Sequence, residues 1–330
     1  MSLKRTIYLL VTIDTECDKN ADWTVKQPLQ FEAVTTGIRD ILSPLFKKYG
    51  IKPTYLLSPE VIANDTAAGY LSTLSPTECE LGTHLHAEFI PPDADFTTRT
   101  TNLTQASMPP SIEFEKLKNL TKLFESRFDY APKSFRAGRF SLSRHTLGHL
   151  QQLGYAVDSS VTPYLCHHYD AAHACNYWGA PLTPYHPSTS DFRKSGDMPL
   201  LEVPVSHVVP AFTRLPAAGL RSWGKYLFEH RRLCQLFGLS RERYWIRPCR
   251  GTAAQLCGWT DWIIEQWPNQ LPVINVMFHN VEVIPGASPY TDSPQAVDTF
   301  VADLDALFAH LDKRYSVSSM GLSELPALIP

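Results

Sequence analysis

Short runs rich in β-branched and aromatic residues recur along this chain, separated by longer stretches of helical periodicity, and that alternation limits the fold more than any other feature. Nine such runs are read as strands: residues 6–13, 54–57, 79–86, 134–137, 156–161, 200–205, 244–247, 273–279 and 316–319. Alternating strands and helices build a parallel sheet with helices outside it, and nine strands exceed what most open sheets carry. The intervening helices show one apolar face each. Ile38, Leu42, Leu45, Phe46 and Tyr49 share a face, with Pro44 expected to kink or shorten that helix. Residues 110–127 repeat the pattern through Phe114, Leu117, Leu120, Thr121 and Phe124. Ser293 followed by Pro294 reads as an N-cap and first helical position, opening a helix that buries Val297, Phe300, Val301, Leu304, Phe308 and Leu311.

Neither an internal repeat nor a low-complexity linker divides the 330 residues, so one domain spanning residues 1–330 is expected. With 44% apolar and 19% charged residues the chain can bury a large core. A net charge of −3 calls for no polyanionic partner, and no nucleic-acid partner is expected. The seven cysteines are scattered without a C-x-x-C pair, which fits reduced thiols and a cytoplasmic location. Residues 7–13 are too short for a signal-peptide core and run directly into Asp14 and Glu16, the pattern of a buried strand; no segment approaches the ~20 apolar residues of a membrane span.

Polar residues gather where strands end. Thr12-Ile13-Asp14-Thr15-Glu16 closes the first run, and the period of two puts Asp14 and Glu16 on one side, able to meet one metal or water or, equally, to cap a local turn. Gly82-Thr83-His84-Leu85-His86-Ala87-Glu88 alternates His84 and His86 onto one face, with Glu88 on the same parity as a third candidate ligand. Ser134-Phe135-Arg136-Ala137-Gly138-Arg139-Phe140 places two guanidiniums where a strand meets a loop, suited to a carboxylate or an oxyanion, and Asp158-Ser159-Ser160 ends another strand with a possible partner. Near the end, 275–282 drives a strand into His279, whose ordinary pKa suits a general acid. In a barrel of βα units these strand ends share one face, where active sites form.

Together these segments resemble the NodB-like polysaccharide deacetylases, and their order matches that family from Thr12 to about residue 325. The resemblance implies an α/β fold, an irregular (β/α) barrel with its groove at the strand C-termini. It makes Asp14 the catalytic base, Arg136 a wall of the groove, Asp158 a residue tuning the base region and His279 the acid that protonates a leaving amine. Aligned on Gly82, the family's first metal-binding histidine falls on His84 and its second on Glu88, with His86 an addition; Thr15 stands where the family carries a metal-binding Asp. The ligand set of a zinc-like divalent metal is therefore drawn from His84, His86, Glu16 and Glu88, and Arg139 and Phe140, where Pro-Tyr is common, are expected to bind substrate. The implied activity is removal of N-acetyl groups from an amino sugar or polysaccharide, in a branch associated with bacterial cell-surface glycans. A hydrolase of small linear or cyclic amides and an inactive glycan-binding protein are the alternatives. Residues 214–250, with Arg221, Lys225, Arg231, Arg232, Arg241, Arg243 and Arg247, are locally basic and suit either a solvated helix face or an acidic glycan carrier. Trp245, Trp259, Trp262 and Trp267 are expected to pack in the core.

Overall fold

The computed structural model describes residues 4–94, 104–169, 173–213, 224–268 and 270–329; residues 214–223, including Arg221 of the basic stretch, lie outside them. Its central element is β1, Thr6–Thr15, in which both parities are buried. That is the signature of a strand covered on both faces. Seven more strands join it: β2 (Pro53–Leu57), β3 (Glu80–Leu85), β4 (Ser134–Ala137), β5 (Val157–Asp158), β6 (Leu201–Glu202), β7 (Val273–His279) and β8 (Ser316–Ser319). All pairings in this sheet are parallel, in the order β6-β5-β4-β3-β2-β1-β7, with β8 beside the start of β1. The end strands approach each other, since the Ser206 amide donates to Asn275 O at 3.2 Å and the Asn275 side-chain amide donates to Pro204 O at 3.2 Å. The result is the irregular (β/α) barrel that the strand pattern and the family resemblance imply.

One expected strand is corrected. Residues 244–247 contribute only Tyr244–Trp245, paired antiparallel with His207–Val208 outside the barrel sheet. Tyr244 instead stacks on Trp259, with centroids 5.3 Å apart. The runs at 156–161 and 200–205 shrink to two ladder residues each, because the chain beyond them turns to serve side-chain contacts. The helices follow expectation: Pro110–Phe128, and Pro294–Arg314 with Ser293 Oγ accepting from the Ala296 amide at 3.3 Å. Before Pro44 the helix is of the wide i→i+5 kind over Ala33–Leu42, and it resumes as α-helix over Ser43–Tyr49.

The two faces of β1 explain how the site is carried. Leu9, Val11 and Ile13 belong to the large core that also holds Ile38, Leu304 and Phe308 of the helical layer. On the other parity, Leu10 meets Leu56, Val157 and Leu201, with Leu322 and Leu325 of the C-terminal segment closing that end. Further along the same column come Thr12 and Asp14. The lining thus changes from apolar to polar toward the strand C-termini, and register keeps the polar residues level: Asp14 lies beside His279, His84 beside Arg136 and Asp158 beside Glu202. Gly82 is needed in this lining, because a Cβ there would come within 2.8 Å of Ser134 O and 2.9 Å of Leu56 Cδ2.

Candidate functional site

Glu16 follows the last residue of β1, and two hydrogen bonds clamp its backbone to Asn280: its amide donates to Asn280 Oδ1 and its carbonyl accepts from Asn280 Nδ2, both at 2.9 Å. Its carboxylate is thereby held over the ends of β3 and β7. Glu16 Oε1 lies 3.3 Å from His84 Nε2 and 3.0 Å from His86 Nε2, and ligand atoms of these three buried residues all fall within 4.8 Å of one another. Burial opposes ionisation of Glu16, but Lys19, His86 and His84 outweigh it and hold the carboxyl well below the usual range.

The far nitrogens determine what the near ones can do. His84 Nδ1 is 3.0 Å from the Arg136 carbonyl, an acceptor only, so Nδ1 carries the proton and Nε2 presents its lone pair to the cluster. His86 Nδ1 is 3.4 Å from Glu88 Oε1, which directs its Nε2 the same way. Glu88 therefore stands behind His86, paired with Arg139 at 2.7 Å, and not among the converging ligand atoms. Burial would lower the pKa of His86, yet the Glu16 and Glu88 carboxylates raise it to about 9 in the metal-free protein. Two lone pairs and a carboxylate oxygen around one point, each oriented by an outer partner, fit a divalent transition metal of the zinc type.

Asp14 and Arg136 form the buried floor. The guanidinium is fully buried and donates to Asp14 Oδ1 at 2.6 Å, Thr12 Oγ1 at 2.7 Å, Ser159 O at 2.7 Å and Ser159 Oγ at 2.9 Å. Burial pushes the Asp14 pKa up, but Arg136, His84 and His279 bring it below its ordinary value, so Asp14 is a carboxylate at neutral pH. Its Oδ2 lies 3.8 Å from both His84 Nε2 and His279 Nε2. Asp158 lies one layer deeper. Burial raises its pKa and that of Glu202, its register partner, and the charge of Arg136 acts on Asp158 from the floor of the site.

His279 turns Nε2 toward the cluster, 3.8 Å from Glu16 Oε1. Its Nδ1 meets Arg247 Nη2 at 3.1 Å and Glu282 Oε1 at 3.5 Å, and Arg247 and Glu282 are themselves a buried ion pair. Trp23 packs against the imidazole with ring centroids 5.0 Å apart. The open side is a groove of about 640 Å³. Cys166–His168, paired antiparallel with Ala174–Asn176, walls it together with Tyr169. Arg139 and Phe140 line it as well, and both have left-handed backbone, with φ of 55° and 54°. Such conformations cost non-glycine residues on the order of 1 kcal/mol each and persist only under external restraint. Tyr169 Oη supplies that restraint by donating to Arg139 O and Phe140 O at 3.0 Å, and Tyr177 Oη by donating to Phe140 O at 2.5 Å.

The structure thus brings together Asp14, Glu16, His84, His86, Arg136 and His279, sets Arg139 and Phe140 in the groove lining with Glu88 behind His86, and leaves Asp158 beneath. Sequence reasoning passed over Lys19, whose ammonium pairs with Glu16 Oε2, and Trp23 and Asn280. The position of Lys19 three residues after Glu16 was the only available sign. Arg247 and Glu282 were visible as a basic stretch and a motif end, without their relation to His279.

A parallel barrel with an acidic and histidine cluster at its strand C-termini defines the polysaccharide deacetylase fold of the NodB type, and comparison with solved structures agrees. A probable polysaccharide deacetylase from Pseudomonas aeruginosa superposes with a TM-score of 0.53 at 12% identity over 98% of this chain and 90% of its own. PuuE allantoinase reaches 0.55 at 11% identity with 98% and 90% covered. A GH57 branching enzyme from Thermococcus kodakaraensis reaches 0.51 at 11% identity with 98% and 71% covered. No family model matches the sequence and no curated protein matches it. Likeness at this identity establishes the fold alone, and the three names differ in chemistry, so the reaction must be argued from the site.

Proposed function

We propose that the chain is a metal-dependent hydrolase that removes N-acetyl groups from an amino sugar or polysaccharide. The observation that carries this reading is the convergence of Glu16 Oε1, His84 Nε2 and His86 Nε2, with Asp14 Oδ2 3.8 Å from His84 Nε2 and His279 Nε2 3.8 Å from both Asp14 Oδ2 and Glu16 Oε1. Glu16, His84 and His86 would hold the cation, which when bound supplies Lewis-acid activation of an acyl carbonyl and of water. Asp14, kept ionised by Arg136, accepts the proton of the attacking water at Oδ2. His279, whose Nδ1 faces Arg247 and Glu282, gives an Nε2 proton to the departing nitrogen as the C–N bond breaks. Acetate and a free amine result, and the proton on Asp14 returns to His279.

The likeness to an allantoinase keeps a second reading in play, hydrolysis of a small cyclic or linear amide by the same groups. Acetate release from N-acetylated oligosaccharides is the test, with zinc or cobalt supplied and small amides run in parallel. Wild-type release that is abolished in folded Asp14→Asn and His279→Ala variants supports the proposal. Full activity in either variant, or turnover of small amides only, refutes it.

A further inference from the structure

The cations lining the groove and those beyond its edge differ in their partners. Lys19, Arg139 and Arg247 each hold a carboxylate, those of Glu16, Glu88 and Glu282. Arg241, Arg243 and Arg250, all exposed, hold none among the described residues. Arg250 instead lies over the rings of Trp245 and Tyr290, each 5.0 Å from the guanidinium, and donates to Tyr290 Oη at 2.9 Å. Tyr290 lines the groove, so Arg250 stands at its mouth. Arg241 and Arg243 sit over the Phe228 ring at 4.9 Å each. The three are close enough to act on one another: burial, then Arg241 and Arg250, lower the pKa of Arg243. The charge of Arg243 also reaches the groove lining. Burial, His168 and then Arg243 bring His167, which lines the groove, down to about 4.

Like charges gathered without a counter-ion raise the energy of the free protein and lower that of a complex with an anion. Trp23 and Tyr290 line the groove and add aromatic contact that suits a sugar ring, and Trp23 is half-buried. We infer that the groove receives a glycan carrying an anionic group, a carboxylate or a phosphate, held by Arg243 and Arg250 beside Trp245 and Tyr290. The inference deepens the deacetylase reading by naming the substrate class, and it rests on that reading for the sugar but not for the charge.

The test is tryptophan-fluorescence titration of the full chain with three probes. These are a hyaluronan hexasaccharide (alternating N-acetylglucosamine and glucuronate), the neutral chitin hexasaccharide and UDP-N-acetylglucosamine. At least one acidic probe is expected to bind about tenfold tighter than the neutral one, a preference for hyaluronan assigning the carboxylate and for the nucleotide sugar the phosphate. Arg243→Gln with Arg250→Gln removes the preference for the acidic probe over the neutral one, whereas Arg243→Lys with Arg250→Lys retains most of it. Raising salt from roughly 0.05 to 0.5 M weakens the acidic probe alone. Equal binding of acidic and neutral probes, or a preference that survives the double Gln variant, overturns the inference. Acetate assays on the same samples separate the two claims: arginine-dependent binding with no acetate from any probe refutes the hydrolase and leaves the anionic site standing.

Discussion

Replacing Arg136 with Met removes the one cation that neutralises the floor of the site while nearly preserving side-chain length. The guanidinium makes four hydrogen bonds at 2.6 to 2.9 Å, so its loss takes the donor from buried Asp14 Oδ1 and Ser159 O, while Thr12 Oγ1 and Ser159 Oγ keep their bonds to Asn275 and Val203. Breaking a buried pair by removing one member costs about 3–5 kcal/mol, a large part of a typical total of about 5–15 kcal/mol. The loss should appear as a lowered urea midpoint. Much of it comes from the lone carboxylate, so adding Asp14→Asn to Arg136→Met should recover roughly 1–2 kcal/mol instead of costing more. pH gives an independent check. The folded-state pKa of Asp14 is depressed, so its contribution is present above its unfolded value of about 4 and is lost as pH falls through the folded value. The gap between wild type and Arg136→Met should therefore be widest near neutrality and narrow below about pH 4. A gap under about 1 kcal/mol at pH 7, or strict additivity of the two substitutions, would refute the claim that a desolvated ion pair organises this floor.

Three further outcomes follow from the same contacts. Glu88→Gln should weaken zinc affinity about 10–100-fold without removing a ligand, measured by competition with a chromogenic chelator, because Glu88 orients His86 through Nδ1; a loss as complete as that of Glu16→Gln would instead make Glu88 a ligand. In chelator-treated protein His86 has a raised folded pKa, so its stabilising contribution is full below about pH 6.5 and is lost as pH rises through about 9; melting temperature should fall across that window in wild type and less in His86→Gln. Lys116 donates to the carbonyls of Ala87 at 2.8 Å, Ile90 at 2.6 Å and Pro92, tying down the segment that follows His86. Lys116→Met should lower stability by roughly 1–3 kcal/mol and increase amide exchange over residues 87–90, and unchanged exchange would contradict that role.

Much of the barrel could be read along the chain because strand and helix periodicities are local properties. β4, β7 and β8 begin and end where the apolar runs do, and Ser293 caps its helix as its residue type implies. The strand at 244–247 was misplaced because an apolar run states that it will be buried, not which sheet will bury it; Trp259 and His207 decided that. Among site residues, those on strand ends were legible by parity. Glu88 was not: it shares the parity of His84 and His86, but the chain leaves the strand after Leu85 and carries Glu88 behind His86, where Arg139 claims it.

What the sequence alone determined is which side chains stand where strands give way to loops, since a two-residue repeat assigns each to a face. Which of them meet was decided by the tertiary structure. Asp14 and Arg136 are 122 positions apart, and Glu16 and Asn280 are 264 apart. Only the closing of the sheet, which puts β7 beside β1, brings their charges and hydrogen-bonding groups to contact distance, where desolvation makes each partner indispensable.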